Sequence, residues 1–197
     1  LSEAETRKLY IDLLLHEAGW TVTEQVGKIV PRQAGIEIEV QGMPNESGMG
    51  YADYVLFDAD VTPLAVVEAK RTSVDAVAGR HQAELYADCL AARYVCPRPV
   101  IYYTNGFETN IIDGIGYPSR KVMGFHTIDE LRRMIAQRGR ADITDLQISD
   151  RITNRNYQKR MIESVCKHYN SKHRRALLVM ATGTGKTRVS ISLVDVL

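Results

Sequence analysis

Apolar and polar positions along this chain repeat with two periods, one helical and one alternating. Leu9, Ile11, Leu14, Leu15 and Ala18 form an apolar stripe that predicts a first helix. Ser2 is a good N-cap with Glu5 three residues on, the pairing of a capping box, and Gly19 stops the helix before Trp20. Residues 22–30 and 36–40 read as short strands around a turn at Pro31, and residues 41–50, QGMPNESGMG, have loop composition. Residues 51–70, YADYVLFDADVTPLAVVEAK, read as two strands joined by a turn. A helix is predicted over 76–93, a strand over 99–103 and a turn at Thr104, Asn105 and Gly106. Ile111 and Ile112, then residues 122–125, can form further strands, and Thr127 caps a helix that fades near Gly139. This order predicts an α/β fold with a mixed central sheet.

The pattern restarts after a break. Residues 1–140 make a first domain, 141–150 a linker, and 151–197 the beginning of a second domain. Within the second domain, residues 174–180, RRALLVM, predict a short apolar strand that runs into 181–187, ATGTGKT, and then into an apolar-periodic helix over 189–197.

Composition narrows the class. At 45% hydrophobic and 25% charged, the chain can bury a core. Three cysteines (Cys89, Cys96, Cys166) without CxxC spacing, and five histidines without an HxxxH or HExxH pair, argue against a disulfide framework and a zinc site. No run approaches the ~18 apolar residues of a membrane span, and the first residues lack signal-peptide character. The expectation is a soluble, cytoplasmic protein with no membrane partner. A net charge of +1 hides an asymmetry: residues 1–119 hold 9 Lys+Arg against 17 Asp+Glu, a balance of −8, and residues 120–197 hold 16 against 7, a balance of +9. The first part suits metal and the second suits a polyanion.

Alternation puts Leu64, Val66, Glu68 and Lys70 on one strand face and Ala65, Val67 and Ala69 on the other. The face that begins apolar ends in a carboxylate and an ammonium, with Asp53 near the start of the preceding strand. An ordinary salt-bridged hairpin is one reading. The other is phosphodiester hydrolysis: two carboxylates from neighbouring strands plus a carbonyl oxygen make a hard-oxygen site for Mg²⁺, and a lysine stabilises charge on the phosphoryl oxygens. Asp53, then Glu68-x-Lys70, resembles the PD-(D/E)xK nuclease pattern. Nucleases of this kind often take an acid from their first helix, so Glu5 is a possible additional acid beside its capping role. Gln82 and Tyr86, four apart, share one helix face.

ATGTGKT between an apolar strand and a helix has the context of a phosphate-binding loop. Backbone N–H groups of Thr182, Gly183, Thr184 and Gly185 at the helix start cradle phosphates, Lys186 reaches the β- and γ-phosphates of ATP, and Thr187 holds the nucleotide's Mg²⁺. The GxxxxGK[ST] pattern is broken at Met180, and the form present resembles motif I of superfamily 2 helicase-like ATPases. Gln158, about 29 residues before Thr187, lies in RNYQ, which resembles the Q motif of those ATPases, where glutamine reads adenine. No Asp-Glu strand follows Thr187, so the expectation is a piece of a longer polypeptide that does not hydrolyse ATP alone.

SEAETR, AGW, ADYVLF, PLAVVEAKR, HQAELYAD, YYTNGFET and LLVMATGTGKT together resemble the N-terminal part of the restriction (R) subunit of type I restriction–modification enzymes. The resemblance implies a PD-(D/E)xK endonuclease-like domain followed by the start of a RecA-like motor. It implies Mg²⁺ on Asp53, Glu68 and the Ala69 carbonyl, Lys70 positioning the attacking water, and a QxxxY motif at Gln82 and Tyr86 that contacts DNA or supports the site. It further implies ATP-driven translocation of double-stranded DNA, cleavage remote from the recognition site, and the methylation and specificity subunits as partners. A helicase–nuclease of another restriction or repair system, or an ATP-dependent DNA remodeller with an inactive nuclease fold, is the alternative. A P-loop kinase fits less well, because its loop would stand near the start of its domain without Gln158 upstream.

Overall fold

The computed structural model describes residues 7–138 and 146–197. Two compact units divide the chain, Leu1–Arg138 and Gly139–Leu197.

The first unit is built on a mixed seven-stranded sheet whose strands lie side by side in chain order. They are β1 (Thr21–Val22), β2 (Gln33–Gln41), β3 (Met49–Phe57), β4 (Pro63–Ala69), β5 (Val100–Thr104), β6 (Thr109–Ile112) and β7 (Arg120–Val122). The β1–β2 and β4–β5 pairs are parallel, and the other pairs are antiparallel. Every residue of β4 is buried, as a continuous apolar run at the centre of a sheet covered on both faces must be.

Alternation along β4 divides the core. Ala65, Val67 and Ala69 pack with Ile11, Leu15, Trp20 and Leu131, which come from α1 (Asp12–Glu17, preceded by a π turn over Arg7–Ile11), its C-terminal exit and α3 (Ile128–Gln137). Val66 packs on the opposite face with Ala83, Tyr86, Ala87 and Leu90 of α2 (Arg80–Tyr94). Leu64 departs from the expected alternation and joins the first face, because the ladder shifts register between Leu56 and Phe57 at that end. Thr127 caps α3 as its sequence predicts: its hydroxyl accepts from the Glu130 N–H, and Glu130 bonds back to the Thr127 N–H at 2.8 Å.

Several boundaries move. The strand expected over 22–30 is only the two-residue β1, followed by turns, because Glu24-Gln25 and Gly27-Lys28 break the alternation and leave Val26 and Ile29 exposed. Leu9 is exposed too: two residues from Ile11 on a helical winding, it points away from the face that Ile11 and Leu15 bury. The expected loop 41–50 shortens, since β2 runs to Gln41 and β3 starts at Met49. The strand expected over 122–125 lies instead at β7, and Phe125 turns inward to meet the Tyr102 ring edge-on at 5.1 Å. The N-cap expected at Ser2 and Glu5, and the first half of the 141–150 linker, lie outside the described residues.

In the second unit, α4 (Asn156–Asn170) packs on α5 (Lys186–Val196) through Ile162, Cys166 and Val189. The strand expected over 174–180 is not formed. Alternation persists, with Leu178 and Met180 packed inward and Leu177 and Val179 exposed, but no described residues of this unit offer a second strand for ladder hydrogen bonds. Among the described residues no helix is long and apolar enough to cross a membrane.

Candidate functional site

The β3–β4 ladder pairs Tyr54 with Val67 and Val55 with Val66, so one further step sets Asp53 opposite Glu68. Opposed residues of an antiparallel pair share a face with Cβ atoms roughly 5 Å apart. Sheet register alone therefore brings the two carboxylates together. The Ala69 N–H donates to Asp53 Oδ2 at 2.7 Å, which holds one carboxylate against the end of β4.

Beyond Ala69 the chain stays in line, because the Lys70 N–H donates to the Thr104 carbonyl at 2.8 Å. Lys70 thus keeps to the face of Glu68, and its Nζ donates to Glu68 Oε1 at 2.6 Å and to Gln82 Oε1 at 3.3 Å. Gln82 Nε2 in turn donates to the Tyr86 hydroxyl at 2.6 Å. Glu68, only 2% exposed, sits where an unpaired carboxylate would be costly, and its pairing with Lys70 offsets that cost. A salt-bridged hairpin would end at Glu68 and Lys70. Here the network reaches through Gln82 to a buried tyrosine on a different element. Burial pushes the Tyr86 hydroxyl pKa up, so it stays protonated.

Gly79 closes the site from above. It ends the 3₁₀ turn Ala76–Gly79, which Asp75 caps by accepting the Val77 N–H at 2.9 Å. A Cβ on Gly79 would lie 2.9 Å from Glu68 Cγ and 3.4 Å from Lys70 Cε, so only glycine lets the turn come this close.

Two side chains join the site that the sequence reading did not assign. Arg7 donates to Asp53 Oδ1 at 2.9 Å and to Glu37 Oε1 at 2.9 Å. Arg7 stands in the SEAETR stretch, where the available signal was a charged residue leading into an apolar-striped helix. Glu5 lies outside the described residues.

The donor set fits a hard divalent ion. Asp53, Glu68 and the Ala69 carbonyl offer oxygen, and a carboxylate oxygen that accepts one hydrogen bond keeps a second lone pair. Among the described residues, His, Cys, Asp and Glu form no group of three or more that could hold a metal ion.

The second unit carries the other site. Gly183 and Gly185 both have left-handed φ, and Gly185 leads directly into α5, which begins at Lys186 rather than at the expected 189. Gln158 and Tyr157 converge on this turn: Gln158 Nε2 donates to the Thr184 carbonyl at 2.9 Å and the Tyr157 hydroxyl donates to it at 2.7 Å. The Thr184 hydroxyl closes the loop onto the Ala181 carbonyl at 2.6 Å. Gln158 Oε1 is buried without a hydrogen-bond partner among the described residues. Beside it opens a cleft of about 380 Å³ lined by Asn154, Arg155, Gln158, Gly183, Gly185 and Arg188.

The fold and these sites define an α/β chain with an acidic strand-end centre in one unit and a glycine loop opening a helix in the other. Comparison with known proteins agrees in both units. Residues 27–107, which include Asp53 through Tyr86, match the family model described as the second domain of the type I restriction enzyme EcoKI endonuclease subunit. Residues 151–197 match the model of the res subunit of type III restriction enzymes. The endonuclease subunit of the type I enzyme EcoKI from Escherichia coli K12 is 29% identical over 98% of this chain and 21% of its own length. That of EcoAI from Escherichia coli is 26% identical over 98% of this chain and 25% of its own length. A solved fragment described as an HsdR subunit of a type I restriction enzyme from Vibrio vulnificus YJ016 superposes with a TM-score of 0.53 at 27% identity, covering 98% of this chain and 37% of that one. The chain is similar to the R subunits of type I restriction enzymes over nearly its whole length, and it spans about a fifth to a quarter of the curated relatives it matches.

Proposed function

We propose that this chain supplies the endonuclease domain and the beginning of the helicase-like motor of a type I restriction enzyme, which couples ATP-driven translocation of double-stranded DNA to Mg²⁺-dependent cleavage away from the recognition site. The observation that carries this reading is the network from Glu68 through Lys70 and Gln82 to Tyr86 at one strand end, with Asp53 held beside it by the Ala69 N–H. In this reading residues 1–140 are a PD-(D/E)xK nuclease domain, 141–150 a linker and 151–197 the start of the motor.

Asp53, Glu68 and the Ala69 carbonyl would hold Mg²⁺, which supplies Lewis acidity toward the phosphate and a more acidic bound water. Lys70, steadied between Glu68 and Gln82, offers its ammonium donors to the attacking water and to the phosphoryl oxygens. Tyr86 is buried, so it supports Gln82 from beneath, and Gln82 is the member of the pair able to reach DNA. At the other site, Thr182 to Gly185 and the α5 N-terminus would receive the phosphates of ATP, Lys186 would pair with them and Thr187 would hold the nucleotide's Mg²⁺. Gln158, which lines the loop cleft and whose Oε1 has no hydrogen-bond partner among the described residues, would read the adenine edge. Methylation and specificity subunits would supply DNA recognition, for which neither site is built.

Lys70→Ala and Lys186→Ala, each made in the complete subunit assembled with its partners, test the reading. Cleavage should vanish in Lys70→Ala while DNA-stimulated ATP hydrolysis stays near normal, and Lys186→Ala should remove both. Continued cutting by Lys70→Ala would reduce the strand end to a structural hairpin.

A further inference from the structure

Three acidic residues lie abreast on three neighbouring strands. The pairs Ile36 with Tyr54 and Ile38 with Ala52 flank Glu37 and Asp53, which sets Glu37 of β2 across from Asp53 of β3, just as Asp53 stands across from Glu68 of β4. Like charges in such a row disfavour one another unless cations lie between them. Lys70 serves Glu68, and Arg7 serves the other two, with one guanidinium nitrogen on each carboxylate.

The Arg7 contact is built in. Its π turn continues into α1, where Asp12 Oδ1 accepts the Tyr54 hydroxyl at 2.6 Å, tying that helix to the residue next to Asp53. Ile11 and Leu15 bury the same helix in the core. Glu37 holds φ +46 within β2, a left-handed conformation that a non-glycine strand residue adopts only under constraint, and such constraint gathers at functional sites. Asp53 is consequently gripped at both oxygens, Oδ1 by Arg7 and Oδ2 by the Ala69 N–H.

We infer that Arg7 is a positioning residue for the Asp53 carboxylate, and that Glu37 holds the Arg7 guanidinium in place, extending the site onto the first helix and β2. The inference rests on the reading of this strand end as a Mg²⁺-dependent nuclease site. Partners that orient a metal-ligating carboxylate typically account for about 10-fold to 100-fold in metal affinity or activity.

The test uses the complete subunit in its assembled enzyme, with Arg7→Ala, Arg7→Lys, Glu37→Gln and an Asp53→Asn control. Two quantities are read: Mg²⁺ binding by calorimetry without DNA or ATP, and the Mg²⁺ concentration giving half-maximal DNA cleavage. Arg7→Ala should weaken both by about 10-fold to 100-fold, and Arg7→Lys should recover part, because an ammonium reaches one carboxylate but not both as a fork. Glu37→Gln, on a half-exposed side chain, should move both in the same direction by less and serves as the reading if Arg7→Ala fails to fold. Metal binding and cleavage within twofold of wild type in Arg7→Ala, or in Glu37→Gln where that variant must serve, would overturn the inference. Wild-type cutting by Asp53→Asn would instead overturn the nuclease reading itself, so the two failures are distinct.

Discussion

Adding one methyl group at Gly79 tests the strand-end site by packing alone, without removing any functional group. Gly79 has φ −85, so alanine meets no backbone penalty there. Its Cβ would stand 2.9 Å from Glu68 Cγ, where ordinary contacts begin near 3.4 Å, so something must yield by roughly 0.5 Å. β4 cannot yield, because all seven of its residues are buried between two packed faces. The strain falls on the Glu68 side chain or on the turn that precedes α2. Overpacking of this kind costs about 1–3 kcal/mol. A displacement of 1 Å in a reacting constellation costs about 100-fold in rate, so half that distance predicts on the order of a 10-fold loss of cleavage. The assay is single-turnover cleavage by the assembled enzyme, run beside DNA-stimulated ATP hydrolysis, which should not change. Cleavage within twofold of wild type would show that Glu68 does not need its observed place, and the geometric argument for the site would fail.

Other predictions follow from the same contacts. Gly185→Ala forces a side chain into a left-handed position (φ +85) and sets Cβ 2.5 Å from Gln158 Nε2, so nucleotide binding by the complete subunit should fall more than about 10-fold in a fluorescent-ATP titration. Thr127→Ala removes an N-cap with a reciprocal Glu130 bond and should lower stability to urea by about 1 kcal/mol. The Arg132 guanidinium, hydrogen-bonded to Asp58, holds that carboxyl below the usual range. Its folded value lies under its unfolded value of about 3.9, so the pair's contribution is full above that pH and disappears as pH falls through the folded value. Urea unfolding of Arg132→Ala should therefore show lower stability at neutral pH and a flatter decline below about pH 4 than wild type.

Much of the molecule was legible from local pattern. Alternation over 64–70 predicted which side chains share a strand face, and the structure buries both faces of β4, although a register shift moved Leu64 from one to the other. Thr127 announced its cap because both partners lie within four residues. The spacing of Gln82 and Tyr86 predicted a shared helix face, which their 2.6 Å contact realises. Residues 174–180 show the limit of such reading. Their apolar run was correctly seen, yet a strand also needs a partner to bond with, and a local apolar run carries no information about one.

The sequence by itself determined which residue types this protein could bring to chemistry: an acid, a Glu-x-Lys and a glycine loop before Lys-Thr, each specified over a few neighbouring positions. Only the tertiary structure decided how they combine. Asp53 meets Glu68 through a ladder register set by the whole sheet, and Lys70 meets Gln82 because a turn ending in Gly79 lays α2 over β4. Arg7 reaches Asp53 across 46 residues of sequence because burial of Ile11 and Leu15 docks the first helix on the sheet. Contacts at that separation are selected by the sum of many packing energies spread over the core, and no short stretch of sequence records that sum.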